Sequence, residues 1–377
     1  MKIIFKKSVI LEMINTVQKA VSAKSVMPIL ECIKIDAYLD GSVVMTANNL
    51  DICVEYKSSG EVLEPGTIAI SSKMFGEIIR RFPDDDVLVS VNEDNNVMLL
   101  RCGRSEFNIQ GLNSKDYPSV PEVEEIYNFS ITQENLKRMI RKTIFATSVN
   151  EAKRPILTGS LFEINTGVLT VASSDGYRIA KIESVVDSSL QNIKFVIPGL
   201  TLKELLKVLD DSDEKVNIVI AKRYVKFCFE GFIIFSRLLE GEYINYKPIF
   251  NTPNAIVVNA NTKDLSESIE RTALIINDDI MAKNEKVPVR LRISNDKIEM
   301  TCSTGKGKTS DMIEASKIGE DIEIGFNHRY LLEALRCCED EMVKIEMSNP
   351  KGACFIKPTE NNDYIYMILP VRLYDDK

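Results

Sequence analysis

Histidine is nearly missing from this sequence: its 377 residues include one, His328. A lone imidazole at the start of a candidate helix reads as structural or solvated rather than as a general base. Eight cysteines (32, 53, 102, 228, 302, 337, 338 and 354) include no CxxC pair. Without clustered cysteines or further histidines a zinc site is not supported, and reduced, mostly buried cytosolic thiols are expected. No apolar run approaches the roughly 18–20 residues of a membrane span. The N-terminus, MKIIFKKSVILEMINTV, is basic and then apolar, but Glu12 and Asn15 interrupt it and no small-residue cleavage site follows, so it is not read as a signal peptide. Gly307-Lys308-Thr309 resembles the tail of a phosphate-binding loop, yet Cys302 stands where that motif needs its first glycine. Carboxylates abound in acidic turns without an evident pocket. No cofactor is expected, and nothing supports catalysis. Positive net charge is missing too: at −8, the chain does not grip nucleic acid over its whole surface, though a local basic face remains open.

What the sequence has is a repeat. Thr67 to Val91 reads as strand, amphipathic helix, acidic turn and strand, with Phe75, Ile78, Ile79 and Phe82 at helical spacing before Pro83. The same order returns from Lys194 and from Asp321. Ile70, Ile197 and Ile324 match at steps of 197−70 = 127 and 324−197 = 127. This exceeds the roughly 20–50 residues of a solenoid unit, so it marks three copies of a whole domain. Each copy opens with a strand and a helix, whose expected caps are Ser8, Thr132 and Thr262. Asp40-Gly41, Thr166-Gly167 and Asn295-Asp296 are hairpin signals. Pro- and Tyr-containing connections follow the first two copies, with Tyr117 matched to Tyr246. Domains are expected at 1–127, 128–253 and 254–377, each an α+β unit of two helices on antiparallel sheet.

Charge follows the repeat. Lys137, Arg138, Arg141 and Lys142 lie opposite the apolar stripe of the second copy's first helix. Lys73, Arg80 and Arg81, then Lys203 and Lys207, then Arg329 and Arg336 decorate the second helices. Any one such set reads as a solvated helix face. Recurrence on three equivalent helices points to a shared basic surface, on one side of an arc of domains.

RPILTGSLFEI (154–164), SSDGYRIA (173–180), FSRLLEGEYINY (235–246), GFNHRYLLEAL (325–335) and MILPVRL (367–373) resemble the bacterial sliding clamp family, the β subunit of DNA polymerase III, across the whole chain. The resemblance implies tandem DNA-clamp domains, a head-to-tail dimeric ring around duplex DNA, a non-catalytic processivity role and a cytoplasmic protein. It implies partners as well: the polymerase α subunit, the clamp loader, and other polymerases and repair proteins bound through a short hydrophobic peptide such as QLxLF. The peptide pocket would use Arg154, Leu157, Ser174, Gly176, Tyr177, Arg178, Ile179, Ile249, Met367, Ile368, Leu369, Pro370, Val371, Arg372 and Leu373. Tyr177, Ile244 and Pro248 depart from residues common in relatives and bear on peptide preference. Phe107 and Ile109 would meet Leu274 and Ile275 at the subunit joint, and Lys24 would contact DNA with the basic helices. Two other classes stay open at this point. A three-module scaffold without a DNA role would lack the basic face, and an enzyme would need a pocket of convergent titratable groups.

Overall fold

The computed structural model describes residues 1–21, 25–92, 94–149, 154–251, 253–277, 287–360 and 363–373; Lys24 lies outside them. The chain forms two compact units, residues 1–134 with 203–238, and residues 135–202 with 239–377.

The first unit holds two sheets. One runs β5 (Glu61–Glu64), β1 (Lys2–Lys6), β7 (Asp86–Asn92), β8 (Val97–Cys102) and β9 (Ser105–Gln110). The other runs β10 (Tyr127–Thr132), β15 (Lys215–Ile220), β16 (Tyr224–Cys228), β17 (Phe232–Arg237), β4 (Ile52–Ser59), β3 (Ser42–Asn48), β2 (Cys32–Ala37) and β6 (Gly66–Ser71). In the second unit one ladder runs β14 (Ile193–Pro198), β11 (Gly159–Asn165), β12 (Val168–Ser174), β13 (Arg178–Val185), β25 (Tyr364–Ile368), β24 (Cys354–Pro358), β23 (Met342–Met347) and β18 (Ile256–Asn261). It continues through β21 (Gly307–Ile318), β20 (Lys297–Thr304), β19 (Val289–Ser294) and β22 (Ile322–Phe326).

Two antiparallel pairs join successive copies. β17 meets β4 with Phe235 opposite Cys53, and β25 meets β13 with Met367 opposite Ile179. The steps agree, since 179−53 = 126 and 174−48 = 126 for the last residues of β12 and β3.

The helices are α1 (Lys7–Val17), α2 (Ser72–Arg81), α3 (Gln133–Arg141), α4 (Gly199–Leu205), α5 (Thr262–Asn277) and α6 (His328–Leu335). They bury the stripes their spacing predicts: Ile10, Met13, Ile14 and Val17 on α1, Leu136, Met139 and Ile140 on α3, Leu265, Ile269 and Ala273 on α5. Each large side chain so covered stabilises the fold by roughly 1.5–3 kcal/mol. Phe82 leaves α2 in extended conformation because Pro83 follows it.

Two caps differ from expectation. α1 starts at Lys7 directly out of β1, with Lys6 at the cap and no side-chain bond, so no turn is left for Ser8 to close. α5 begins at Thr262 itself, and Asn261 Oδ1 accepts the N–H groups of Lys263 and Asp264 at 3.0 and 3.1 Å. The hairpin signals hold: Thr166 and Gly167 take φ of 50° and 77°, and Asn295 and Asp296 46° and 56°, the double positive φ of a type I′ turn. The phosphate-loop look-alike is the turn between β20 and β21.

His328 is buried at the start of α6, and its Nδ1 has no hydrogen-bond partner among the described residues. Burial, reinforced by the nearby Arg329 charge, lowers its pKa to about 4, so the imidazole is neutral and structural. The cysteines are free thiols; burial pushes Cys32 and Cys337 up to about 11, and Cys338 and Cys354 up to about 12.

Candidate partner groove, basic helices and free strand edges

The residues after β12 make a compact double turn. Gly176 N–H donates to Ser174 Oγ at 3.1 Å, while the Tyr177 and Arg178 N–H groups donate to Asp175 Oδ1 at 2.9 and 3.1 Å. Gly176 has φ of 90°, which glycine adopts without strain. Tyr243 closes the back of the turn, its hydroxyl accepting Ser174 N–H at 2.9 Å and donating to Gly159 O at 3.3 Å. Burial pushes this phenol well above its ordinary pKa. The turn therefore presents Tyr177, 56% exposed, from a rigid base.

Beside it, β25 ends at Ile368, and Leu369 N–H donates to Tyr177 O at 2.9 Å. Leu369 is 39% exposed, whereas Leu157, Ile179, Met367 and Ile368 are buried beneath. Ile249 is half-buried and packs with Ile156 and Ile244 against the Ile179–Met367–Tyr246 cluster. The chain then packs back on its own copy, Val371 N–H donating to Gly325 O at 2.8 Å. Gly325 permits this approach: a Cβ there would lie 2.4 Å from Leu373 Cδ2. The expected pocket residues thus all belong to one unit, in which Arg154 and Arg372 are exposed and Pro370, Val371 and Leu373 half-buried.

Arg178 is buried instead. Its guanidinium turns inward, where Nε donates to Asp175 Oδ2 at 3.0 Å and Nη2 to Phe145 O at 2.6 Å, and Nη1 pairs with Glu333 of α6. It also lies over the Tyr330 ring at 4.4 Å. The expectation that Arg178 flanks a bound peptide is replaced by a buried tie between the turn and α6. Glu333 and Tyr243 were missed at the sequence level; GEYINY, already singled out, contained Tyr243. Tyr243, not Tyr246, matches Tyr117 (243−117 = 126), because Tyr117 Oη likewise accepts Asn48 N–H, at 3.1 Å. Tyr246 instead donates to Glu163. Burial opposes ionisation of that carboxyl, but hydrogen bonds from Lys194 and Tyr246 outweigh it and hold the pKa below the usual range.

The basic helices are corrected in part. Lys137 is 7% and Lys142 2% exposed, so neither offers its charge to solvent. Lys142 Nζ donates to Cys337 O at 2.6 Å, pairs with Glu339 at 3.1 Å and lies over the Tyr364 ring. Arg138 bridges Glu339 and Asp363 at 3.1 and 2.7 Å. Cys337, Glu339, Asp363 and Tyr364 of the third copy thus cover the face that helical spacing alone leaves open. Lys73, Arg141 and Lys203 are exposed, with no ion pair among the described residues. Arg80 and Arg81 share Glu77, and Lys207 pairs with Glu204.

Of the expected joint residues, Phe107 on β9 is 44% exposed and Leu274 on α5 is 65% exposed, while Ile275 is half-buried. Ile109 is buried within its own unit. β9 is the last strand of its sheet. Residues 307–314 of β21 pair only with β20 among the described residues.

The fold defines a triplicated sheet-and-helix clamp protein whose successive copies are joined by antiparallel strand pairs. The sequence signatures of the DNA polymerase III beta subunit match in order: N-terminal domain at 1–121, central domain at 130–245 and C-terminal domain at 247–372. The chain is 32% identical to the beta sliding clamps of Halalkalibacterium halodurans and Bacillus subtilis, over 99% of its length and all of theirs. Its fold is similar to the solved Bacillus subtilis sliding clamp (TM-score 0.93, 31% identity) and to the beta subunit from Streptococcus pyogenes (0.92, 28%), covering 99% of this chain and 100% of each. The chain belongs to the bacterial DNA polymerase III beta subunit family, the sliding clamps, which are non-catalytic processivity subunits.

Proposed function

We propose that two copies of this chain close head to tail around duplex DNA, and that the groove tethers polymerase, clamp loader and repair proteins through a short hydrophobic peptide. The observation that carries the closure is a missing third junction. The first copy lends β4 to β17 of the second, and the second lends β13 to β25 of the third. The third copy's counterpart of β4 and β13 is the first half of β21, and the first copy's counterpart of β17 and β25 is β9. Among the described residues both edges are unpaired, and exposed apolar Phe107, Leu274 and Met312 lie on or beside them. Pairing the two edges between copies repeats the internal pattern and covers an aggregation-prone edge.

Exposed Lys73, Arg141 and Lys203, with Arg80, Arg81, Arg138 and Lys207 partly neutralised by carboxylates, suit phosphate contacts without base readout. Retention then comes from topology rather than affinity. The domains of this reading are 1–127, 128–253 and 254–377. Among the described residues no helix is long and apolar enough to cross a membrane, and the proposed compartment is the cytoplasm.

Sedimentation should show a dimer that Leu274→Ala with Ile275→Ala converts to monomer; an unchanged dimer refutes this joint. Once loaded, the protein should stay on a nicked circle and run off after linearisation. A QLxLF peptide should bind with micromolar affinity, and Leu369→Ala or Arg154→Ala should weaken it at unchanged melting temperature. Undiminished binding by both folded variants would place the site elsewhere.

A further inference from the structure

The first-to-second junction repeats the architecture of the partner groove. Leu50 N–H donates to Asn48 Oδ1 at 2.7 Å, and the Asp51 and Ile52 N–H groups donate to Asn49 Oδ1 at 3.1 and 2.8 Å. These are the bonds of Gly176, Tyr177 and Arg178 to Ser174 and Asp175, displaced by 126 residues (176−50 = 126). Tyr117 closes the back of this turn as Tyr243 closes the other. The counterpart of Met367 is Phe235, since both face the matching residue of the neighbouring copy's strand. Between the turn, Phe235, Tyr224 and the Pro118–Pro121 segment lies an open cleft of about 280 Å³. It falls within a single compact unit.

Two features of this cleft are unexplained by folding. Leu50 holds φ of 78° where the related turn has glycine, and its apolar side chain is 55% exposed. A non-glycine residue in that conformation is strained, and here no burial offsets it. Asp51 lines the same cleft, and no ion pair or hydrogen bond reaches its carboxylate among the described residues. The related turn has Tyr177 at that place, so a carboxylate stands in this cleft where its counterpart has a phenol (177−51 = 126).

We propose that this cleft is a second peptide-docking site, taking a short extended segment of a partner protein that carries two apolar side chains and a lysine or arginine. The apolar pair packs on Leu50, Pro118, Pro121 and Phe235, and the cation meets Asp51. Asp51 in place of Tyr177 lets the two sites select different partners from one surface plan. The inference rests on the repeat and the cleft, and does not require the tethering role assigned to the other groove.

The test is selection of a random heptapeptide library on the full-length protein. Enriched binders are sorted by loss of binding to Asp51→Lys and to Leu369→Ala. We expect a class that carries Lys or Arg beside apolar residues, weakens at least tenfold on Asp51→Lys, and is indifferent to Leu369→Ala. Its peptides should shift the methyl resonances of Leu50 and Ile52. Both substituted side chains are exposed and outside the core, and melting curves confirm that the variants fold. A selection that returns no class sensitive to Asp51→Lys, or a sensitive class that is acidic rather than basic, overturns the proposal. Loss of the Leu369-dependent class alone bears only on the other groove.

Discussion

At the second-to-third junction the residue following the turn is Arg178, and at the first-to-second junction the same place holds Ile52. Around Arg178 the structure gathers Asp175, Glu333, the Phe145 carbonyl and the Tyr330 ring. Ile52 instead lines an open cleft with Cys53, Phe235, Pro118 and Pro121, and its own side chain carries no charge. One backbone plan thus supports an ionic tie in one place and an open cleft in the other. The difference arises from a single side chain that either must find buried partners or need not. A guanidinium taken out of water is tolerable only when its donors are met, so Arg178 brings α6 into register with the groove. Ile52 makes no such demand.

The sharpest way to break this comparison is to remove the tie. Arg178→Ala should destabilise the protein by roughly 3–5 kcal/mol in denaturant titration, because Asp175, Glu333 and the Phe145 carbonyl lose their common donor. Ile52→Val should cost only about 1 kcal/mol. Equal costs would show that Arg178 is not the tie.

Acid should separate the two units next. His328 has its pKa lowered to about 4 from an ordinary 6.5, so its contribution is complete above pH 6.5 and is lost as pH falls toward 4. The loss should reach at most about 3 kcal/mol, and only in residues 135–202 with 239–377, since the other unit has no histidine. Glu163, held below the usual carboxylate range, adds a further loss in the same direction at lower pH. Hydrogen exchange at pH 7 and pH 4.5 resolves the units, and His328→Leu should flatten the difference.

Smaller effects probe the shared turns. Tyr117→Phe and Tyr243→Phe should each cost about 1–2 kcal/mol, as each hydroxyl satisfies a backbone N–H and a carbonyl. Only Tyr243→Phe should alter QLxLF binding. Smallest is the glycine exchange: Gly176→Ala should cost about 1 kcal/mol through φ alone, since a Cβ there meets no atom within 4 Å. Leu50→Gly should be neutral or stabilising by under about 1 kcal/mol in thermal melts, and any larger loss would mean that Leu50 packs usefully in the free protein.

Much of this was legible from residue order. Repeat steps of 127, alternating strands, apolar stripes at helical spacing and hairpin pairs are local or periodic, and local backbone preference with burial of one face enforces them without reference to distant residues. The pocket residues were proposed through family resemblance, which carries positions but not orientations. The fate of individual charges was decided only by tertiary packing. Lys142 and Arg178 have the sequence signature of solvated cations, yet each is enclosed by partners about 155–200 residues away, Cys337 and Glu339 for one and Glu333 for the other. The same holds for Tyr117 and Tyr243, whose equivalence emerges from the N–H each hydroxyl accepts. Periodicity fixes which face of an element is apolar. What covers the polar face depends on which surface another copy of the domain brings against it, and no local pattern encodes that.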